Sequence, residues 1–281
     1  MGNQIEPRKY YYNINNEVDE KNYGESRTIS NLLNLVNYKN YRNEFTNIIE
    51  SNSNNNNILE LGCGLGIGIT ELSYLYNNNN YYCVNMPRIG RLANGYERKN
   101  YTNEYIINFM KTYGYDMCGK KNINHYNHDL YDLSIFKASY FDLIYSQSTI
   151  GKSSLCRKNN LDTIHLIDKI LQKLKINGIS LHHVDSIPYY NFEDRTISMG
   201  TNILKGVPIY YELYFADNKY CQAETNEYSE IMLYIKKLPD NNIEKKTINI
   251  KNNVNQIIKK KNNKILPGIS CLYNILYYLS S

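Results

Sequence analysis

Ile58-Leu59-Glu60-Leu61-Gly62-Cys63-Gly64-Leu65-Gly66-Ile67-Gly68 decides how the rest of this 281-residue chain is read. A short apolar strand with an acidic residue near its end runs straight into glycines at every second position. The backbone can therefore turn tightly and let a ligand approach where a Cβ would clash. Four of the chain's 15 glycines fall between Gly62 and Gly68. As a dinucleotide fingerprint the stretch fails, because G-x-G-x-x-G needs a third glycine where Ile67 or Ile69 stands. The phosphate-cradling form G-x-x-x-x-G-K-[ST] fails too, since no lysine follows. Glu60 adds an electrostatic argument: a carboxylate beside the loop repels a diphosphate and favours a ligand with a cationic end.

Outward from the loop, the spacing predicts a helix over about residues 69–76, ended by an Asn run. Apolar pulses at residues 81–84, 123–126 and 141–145 predict further strands, the middle one weakly, and Pro87 suits the first turn of a helix running toward Met110. Residues 161–174 read as an amphipathic helix with Leu161, Ile164, Ile167, Ile170, Leu171 and Leu174 on one face. It leads through the turn Lys175-Ile176-Asn177-Gly178 into a strand at residues 179–184. Residues 209–215 and 231–235, joined by a polar stretch, read as an antiparallel pair. Upstream, Leu32, Leu33, Leu35, Val36, Phe45, Ile48 and Ile49 recur at roughly helical spacing. Alternating strands and helices imply a parallel sheet covered on both faces, and ligands of such sheets bind at the carboxyl ends of the strands.

The stretch I-L-E-L-G-C-G-L-G-I-G resembles the first motif of the class I S-adenosylmethionine-dependent methyltransferase family, and the order of later motifs over residues 55–185 is similar. The resemblance implies S-adenosyl-L-methionine as cofactor, held by Glu60, Gly62, Cys63, Gly64 and Gly66. It also implies the fold: α/β, a doubly wound, mostly parallel seven-stranded Rossmann-like sheet with helices on both faces and an antiparallel C-terminal hairpin. Where the family normally ends its second strand with Asp or Glu to bind the ribose hydroxyls, this chain has Asn85, followed by Met86. An amide oxygen accepts less strongly than a carboxylate. An uncharged residue there, followed by a run like P-x-x-x-x-L-A-N, resembles the small-molecule and lipid branch that includes sterol, tocopherol and sugar methyltransferases. His128, Asp129 and Leu130 stand where the family has a polar pair after strand three; Asp129 then accepts from the adenine amine and the Leu130 amide meets a ring nitrogen. Phe141-Asp142-Leu143-Ile144-Tyr145-Ser146 resembles the fourth-strand motif, in which Asp142 is structural and Ser146 with Gln147 faces the transferring methyl.

A base helps when the acceptor is a hydroxyl, whereas carbon and amine acceptors need chiefly orientation. Candidate bases are His182, His183 and Asp185 at the end of the fifth strand. Alternation sends the two histidines to opposite faces, and His183, nearer the strand end, is the expected catalytic residue. His125 and His165 read as structural. Tyr11, Tyr12 and Tyr23 lie in the segment that in this branch folds over the substrate. Ser146-Gln147-Ser148-Thr149 stands where amino-group methyltransferases of nucleic-acid bases carry N-P-P-Y or D-P-P-Y. The expected function is therefore methyl transfer to a small-molecule or lipid acceptor. The alternatives are an RNA or protein methyltransferase and a non-catalytic S-adenosylmethionine-binding scaffold.

Composition sets the background. Asn (44), Ile (34), Tyr (30) and Lys (24) dominate while Ala occurs four times and Trp never, a skew toward A/T-rich codons that discounts the poly-Asn tracts as signals. The net charge of +5 is unevenly spread: residues 236–264 hold nine lysines against Asp240 and Glu244, leaving the rest at −2. A near-neutral body with a basic tail does not favour nucleic acid as a partner, and the tail reads as a solvated linker. Six scattered cysteines without C-x-x-C pairs favour free thiols in a reducing compartment and no metal site. No apolar signal-peptide stretch opens the chain, and the last apolar segment, residues 265–279, contains Pro267 and Gly268 and is too short to span a bilayer. Docking of that segment onto the body, and a cytoplasmic location, are expected. The expected organisation is a helical substrate-lid segment at 1–50, a methyltransferase domain at 51–237 and a basic tail with a short apolar end at 238–281.

Overall fold

The computed structural model describes residues 32, 41–51, 55–63, 67–85, 123–128, 130, 132–147, 149–150, 160–188, 196–217, 228–240, 247–248 and 275–279. In chain order the elements are α1 (Tyr41–Glu50), β1 (Asn57–Leu61), α2 (Ile67–Leu75), β2 (Asn80–Asn85), β3 (Ile123–Asn127), β4 (Phe141–Ser146), α3 (Asn160–Lys173), β5 (Leu174–Pro188), β6 (Thr196–Leu204), β7 (Val207–Asp217), β8 (Tyr228–Lys237) and β9 (Thr247–Ile248). Residues 275–279 add a helical turn. One sheet holds all nine described strands in the order β3-β2-β1-β4-β5-β8-β7-β6-β9.

The half from β3 to β5 is parallel, and β8, β7, β6 and β9 continue it antiparallel. The fold class is therefore the expected one, a doubly wound α/β sheet with an antiparallel C-terminal group that includes the anticipated β7–β8 pair. The strand number is corrected from seven to nine. Both additions come from segments without a strong apolar pulse: β6, T-I-S-M-G-T-N-I-L, and the two-residue β9. β6 joins β7 through Lys205 and Gly206, both at positive φ (47° and 79°), the arrangement of a tight primed hairpin turn.

Alternation along the strands builds two cores. On one face Ile58, Tyr81, Cys83, Leu143, Tyr145 and Leu181 pack under α1 and α2, which contribute Tyr41, Phe45, Ile49, Ile69 and Leu72. On the other, Leu59, Leu61, Tyr82, Val84 and Ile144 pack under α3, whose Leu166, Ile167, Ile170 and Leu171 are buried. Of the amphipathic stripe read in the sequence, Ile167, Ile170 and Leu171 lie on this face, Ile164 is only partly buried, Leu166 joins the face unexpectedly, and Leu174 is already the first residue of β5. The second core also receives Ile275, Leu276 and Leu279, and Asn202 Nδ2 donates to the Leu279 carbonyl at 2.8 Å. Residues 275–279, the described part of the last apolar segment, thus dock onto the body. No helix among the described residues is long and apolar enough to cross a membrane.

The turn expected at residues 175–178 lies inside β5 as an excursion: the pairing jumps from Phe141 opposite Leu174 to Leu143 opposite Ile179, and Asn177 sits at φ 64°. Lys175 Nζ ties the excursion to Asp142 at 2.7 and 2.9 Å, while Asp142 Oδ2 accepts from the Asn57 amide at 2.9 Å. Asp142 is thereby a structural clamp joining the start of β1 to β4 and β5. The helix expected between Pro87 and Met110 lies outside the described residues.

Candidate functional site

The strand order reverses between β1 and β4, and a doubly wound sheet opens its ligand crevice at the carboxyl ends of the strands flanking such a point. The glycine-rich stretch begins at this place. Gly62 leaves β1 at φ 68°, and its amide donates to the Val84 carbonyl at 2.7 Å, leaning the chain onto the end of β2. A Cβ there would lie 2.6 Å from Thr149 Cγ2 and 3.0 Å from Thr149 Cβ. Thr149 Oγ1 in turn donates toward the Leu61 carbonyl at 3.1 Å. The segments following β1 and β4 are therefore packed against each other, and Gly62 is required both for its backbone angle and for its missing side chain.

Glu60 is 1% exposed, on the face shared with Tyr145 and Cys83. Its Oε2 accepts from the Ile69 amide at 3.0 Å and from the Tyr145 hydroxyl at 3.2 Å. Ile69 lies in the first turn of α2, so the carboxylate compensates orphan amides and the positive end of the helix dipole. The acid carried at the end of β1 thus has a structural occupation beside any ligand role: it fixes where α2 starts. Burial pushes the Tyr145 phenol well above its usual range, and the Glu60 charge adds to the effect. Cys63 and Cys83 are buried free thiols in the same core. Cys83 is likewise raised well above the ordinary thiol range, by burial first, then by its side-chain hydrogen bond to Cys63 and by the charge of Glu60.

On β2, Asn85 is the last strand residue, one position past Val84, with its backbone opposite Asn127 of β3. This puts it next to Gly62 at the carboxyl edge. Gly64, Gly66, Met86 and Asp129 lie outside the described residues. His128 is half-buried and its Nε2 lies 3.2 Å from Asp132 Oδ2, while Leu130 points into the core under α3. Tyr11, Tyr12 and Tyr23 also lie outside the described residues.

The histidines separate as alternation requires. His183 is buried on the face of Glu60 and Tyr145, opposite Met232 of β8. His182 is fully buried on the other face, directly opposite Ser146 in the parallel β4–β5 pairing. Its Nδ1 lies 2.8 Å from Ser146 Oγ and its Nε2 lies 2.6 Å from Ser180 Oγ. Burial pushes the imidazole down to about 3, so it is neutral at ordinary pH. The chain Ser180–His182–Ser146 is the feature the sequence reading passed over. Its one legible signal is the spacing S-x-H, which places both residues on one face of β5; the partner on β4 depends on register.

No family model and no curated protein matches the chain. Among solved structures, the precorrin-6y C5,15-methyltransferase of Geobacter metallireducens is 11% identical, with 72% of this chain and 90% of that chain covered and a TM-score of 0.38. The aminoglycoside resistance methyltransferase NpmB1 is 17% identical over 51% of this chain and 61% of its own, at TM-score 0.34. The Rickettsia typhi protein PKMT2, in complex with AdoHcy, is 14% identical over 48% of this chain and 21% of its own, at TM-score 0.34. In the last two cases the match spans less than two thirds of the solved chain. Similarities this low carry no argument about function, which has to be read from the chain's own residues.

Proposed function

We propose that the chain is an S-adenosylmethionine-dependent methyltransferase whose acceptor is a small molecule or lipid. The observation that carries this reading is the position of the glycine stretch: it follows a strand ending in Glu60-Leu61, at the point in the parallel half of the described sheet where strand order reverses. The residues present suit a nucleoside with a cationic end. Gly62 and Asn85 sit side by side at the carboxyl edge, where an amide oxygen can accept from a ribose hydroxyl. Gly64 and Gly66 carry no Cβ at two further positions of the stretch, and Met86, His128, Asp129 and Leu130 are the further expected contacts, on the segments that follow β2 and β3. Cys63 supplies an uncharged buried wall.

Bound there, the cofactor supplies a methyl group on a sulfonium with a good leaving group. The chain's contribution is then orientation and exclusion of water. Ser146 and Gln147, both buried at the end of β4, border the place where the acceptor enters. His183, buried on the Glu60 face, is the proposed base for a hydroxyl acceptor. A near-neutral body and the Ser146-Gln147-Ser148-Thr149 sequence support a small or lipid acceptor over a nucleic-acid base. The test is to incubate the protein with a cell extract and methyl-labelled S-adenosylmethionine and to separate the products. Label in the organic or low-molecular-weight fraction is expected; label confined to acid-precipitable RNA or protein would overturn the acceptor assignment.

A further inference from the structure

Cys63 and Cys83 are reduced thiols buried in the core under α1 and α2, and the methyl transfer proposed above uses neither sulfur. Far apart in the chain, they touch: the side chain of Cys83 is hydrogen-bonded to that of Cys63. Strand pairing explains the meeting. Cys83 stands in β2 opposite Glu60 of β1, and the Gly62 amide donates to the Val84 carbonyl at 2.7 Å, so the residue before Cys63 is tied to the residue after Cys83. Neighbouring strands stand about 4.8 Å apart, inside the Cα span of about 4.4–6.8 Å that a disulfide bridges. The two thiols are unequal. Cys83 is flanked within the sheet by β1 and β3, whereas Cys63 lies beyond the last β1 pairing, that of Leu61 with Val84. Local opening at the strand end therefore uncovers Cys63 first. Burial, the contact with Cys63 and the charge of Glu60 all keep the Cys83 proton on its sulfur, which suits Cys83 to resolve an oxidised Cys63 and not to attack an oxidant itself.

We propose that Cys63 and Cys83 are a redox pair that a peroxide closes into a disulfide, tying the start of the glycine stretch to β2 and, resting on the methyltransferase reading, switching off S-adenosylmethionine binding. In the first step Cys63 Sγ, as thiolate, attacks one oxygen of hydrogen peroxide. The O–O bond breaks, Cys63 becomes a sulfenic acid, and the departing hydroxide takes up the thiol proton as water. In the second step Cys83 Sγ attacks the Cys63 sulfur, the S–O bond breaks, and the Cys83 proton leaves with the hydroxyl as a second water. Two thiols and one hydrogen peroxide give one disulfide and two waters, the sulfurs losing the two electrons that the peroxide gains. The bridge fixes its sulfurs about 2.05 Å apart, closer than hydrogen-bonded thiols stand, so Cys63 is drawn toward β2. Gly62 is held at φ 68° against Thr149 and by the Val84 carbonyl. The shift therefore falls on the residues after Cys63, where Gly64 and Gly66 are expected to hold the cofactor.

The test separates the disulfide from the cofactor. The full chain, folded and with no ligand added, is treated with hydrogen peroxide, its remaining thiols are alkylated, and it is digested with a protease that cuts after glutamate. Cleavage at Glu60, Glu71 and Glu97 puts Cys63 on residues 61–71 and Cys83 on residues 72–97. Mass spectrometry should find these two peptides joined, lighter than their sum by two hydrogens, and dithiothreitol should part them. Absence of that linked pair, or a link from either cysteine to Cys118, Cys156, Cys221 or Cys271 in its place, overturns the redox pair. Calorimetry with S-adenosylhomocysteine then reads the switch: the disulfide form should bind at least about tenfold more weakly than the reduced form, with affinity restored by dithiothreitol. Cys83→Ser and Cys83→Ala should each bind as the reduced chain does and lose their response to peroxide. Equal affinity in the reduced and disulfide forms, or peroxide inhibition that persists in a folded Cys83 variant, overturns the switch. Failure of the reduced chain to bind S-adenosylhomocysteine strikes the methyltransferase reading instead and leaves the peptide map to decide the pair.

Discussion

At the scale of single residues, the site is held by groups whose burial leaves them few alternatives. Gly62 combines a left-handed backbone angle with a wall formed by Thr149. Gly62→Ala should therefore cost about 2–4 kcal/mol, adding backbone strain to overpacking. Chemical denaturation should show Thr149→Ala recovering the steric share in the double variant but not the backbone share. His182 gives a pH signature. The folded protein resists protonating it until about 3, whereas the unfolded chain takes up that proton near the usual histidine value of about 6.5. Between those values the unfolded state binds more protons, so stability falls as pH drops, by about 1.4 kcal/mol per pH unit from this group alone. Unfolding free energies measured from neutral to acid pH should show this slope, and His182→Asn should remove it.

Elements are tied by a small number of polar contacts laid over apolar faces. α1 reaches the antiparallel half of the sheet through Tyr41, whose hydroxyl donates to the buried Glu212 and whose ring stacks on Tyr234 at 4.1 Å. Glu212 also accepts from Thr196 Oγ1 and from the Tyr210 hydroxyl, each at 3.1 Å, while Glu44 of α1 accepts from Tyr234 at 2.7 Å and from Lys236 at 3.0 Å. Tyr41→Phe keeps the stacked ring and removes one donor from a buried carboxylate, so a loss of about 1.5–3 kcal/mol is expected in the unfolding midpoint. Elements with a clean period were legible in the sequence: β1, β2 and β4 as apolar pulses, and α3 as a stripe with period 3.6. β6 was not, because Gly200, Thr201 and Asn202 interrupt its apolar residues and only its pairing with β7 makes it a strand. The site divides in the same way. Glu60 and Gly62 are marked by local spacing, whereas Ser146 meets His182 only through the β4–β5 register, which neither strand's sequence specifies alone.

For the whole molecule, the sheet separates two cores, and the chain's last apolar residues close one of them. The basic run is in part structural. Lys236 pairs with Glu44, and Lys237 Nζ donates to the Leu171 and Leu174 carbonyls at 3.1 and 2.8 Å, so the first two lysines serve the fold. The parallel half places Gly62, Asn85 and Ser146 along a single edge, and the central claim is that this edge binds S-adenosylmethionine. The direct measurement is the thermal and calorimetric response of the full chain to that cofactor. At a hundredfold excess over its dissociation constant a ligand of the folded state adds about 2.7 kcal/mol of stability, and Gly64→Arg should abolish the gain. A chain whose melting temperature and heat of mixing are unchanged at about 1 mM S-adenosylmethionine, the upper end of ordinary Michaelis constants, would contradict the account.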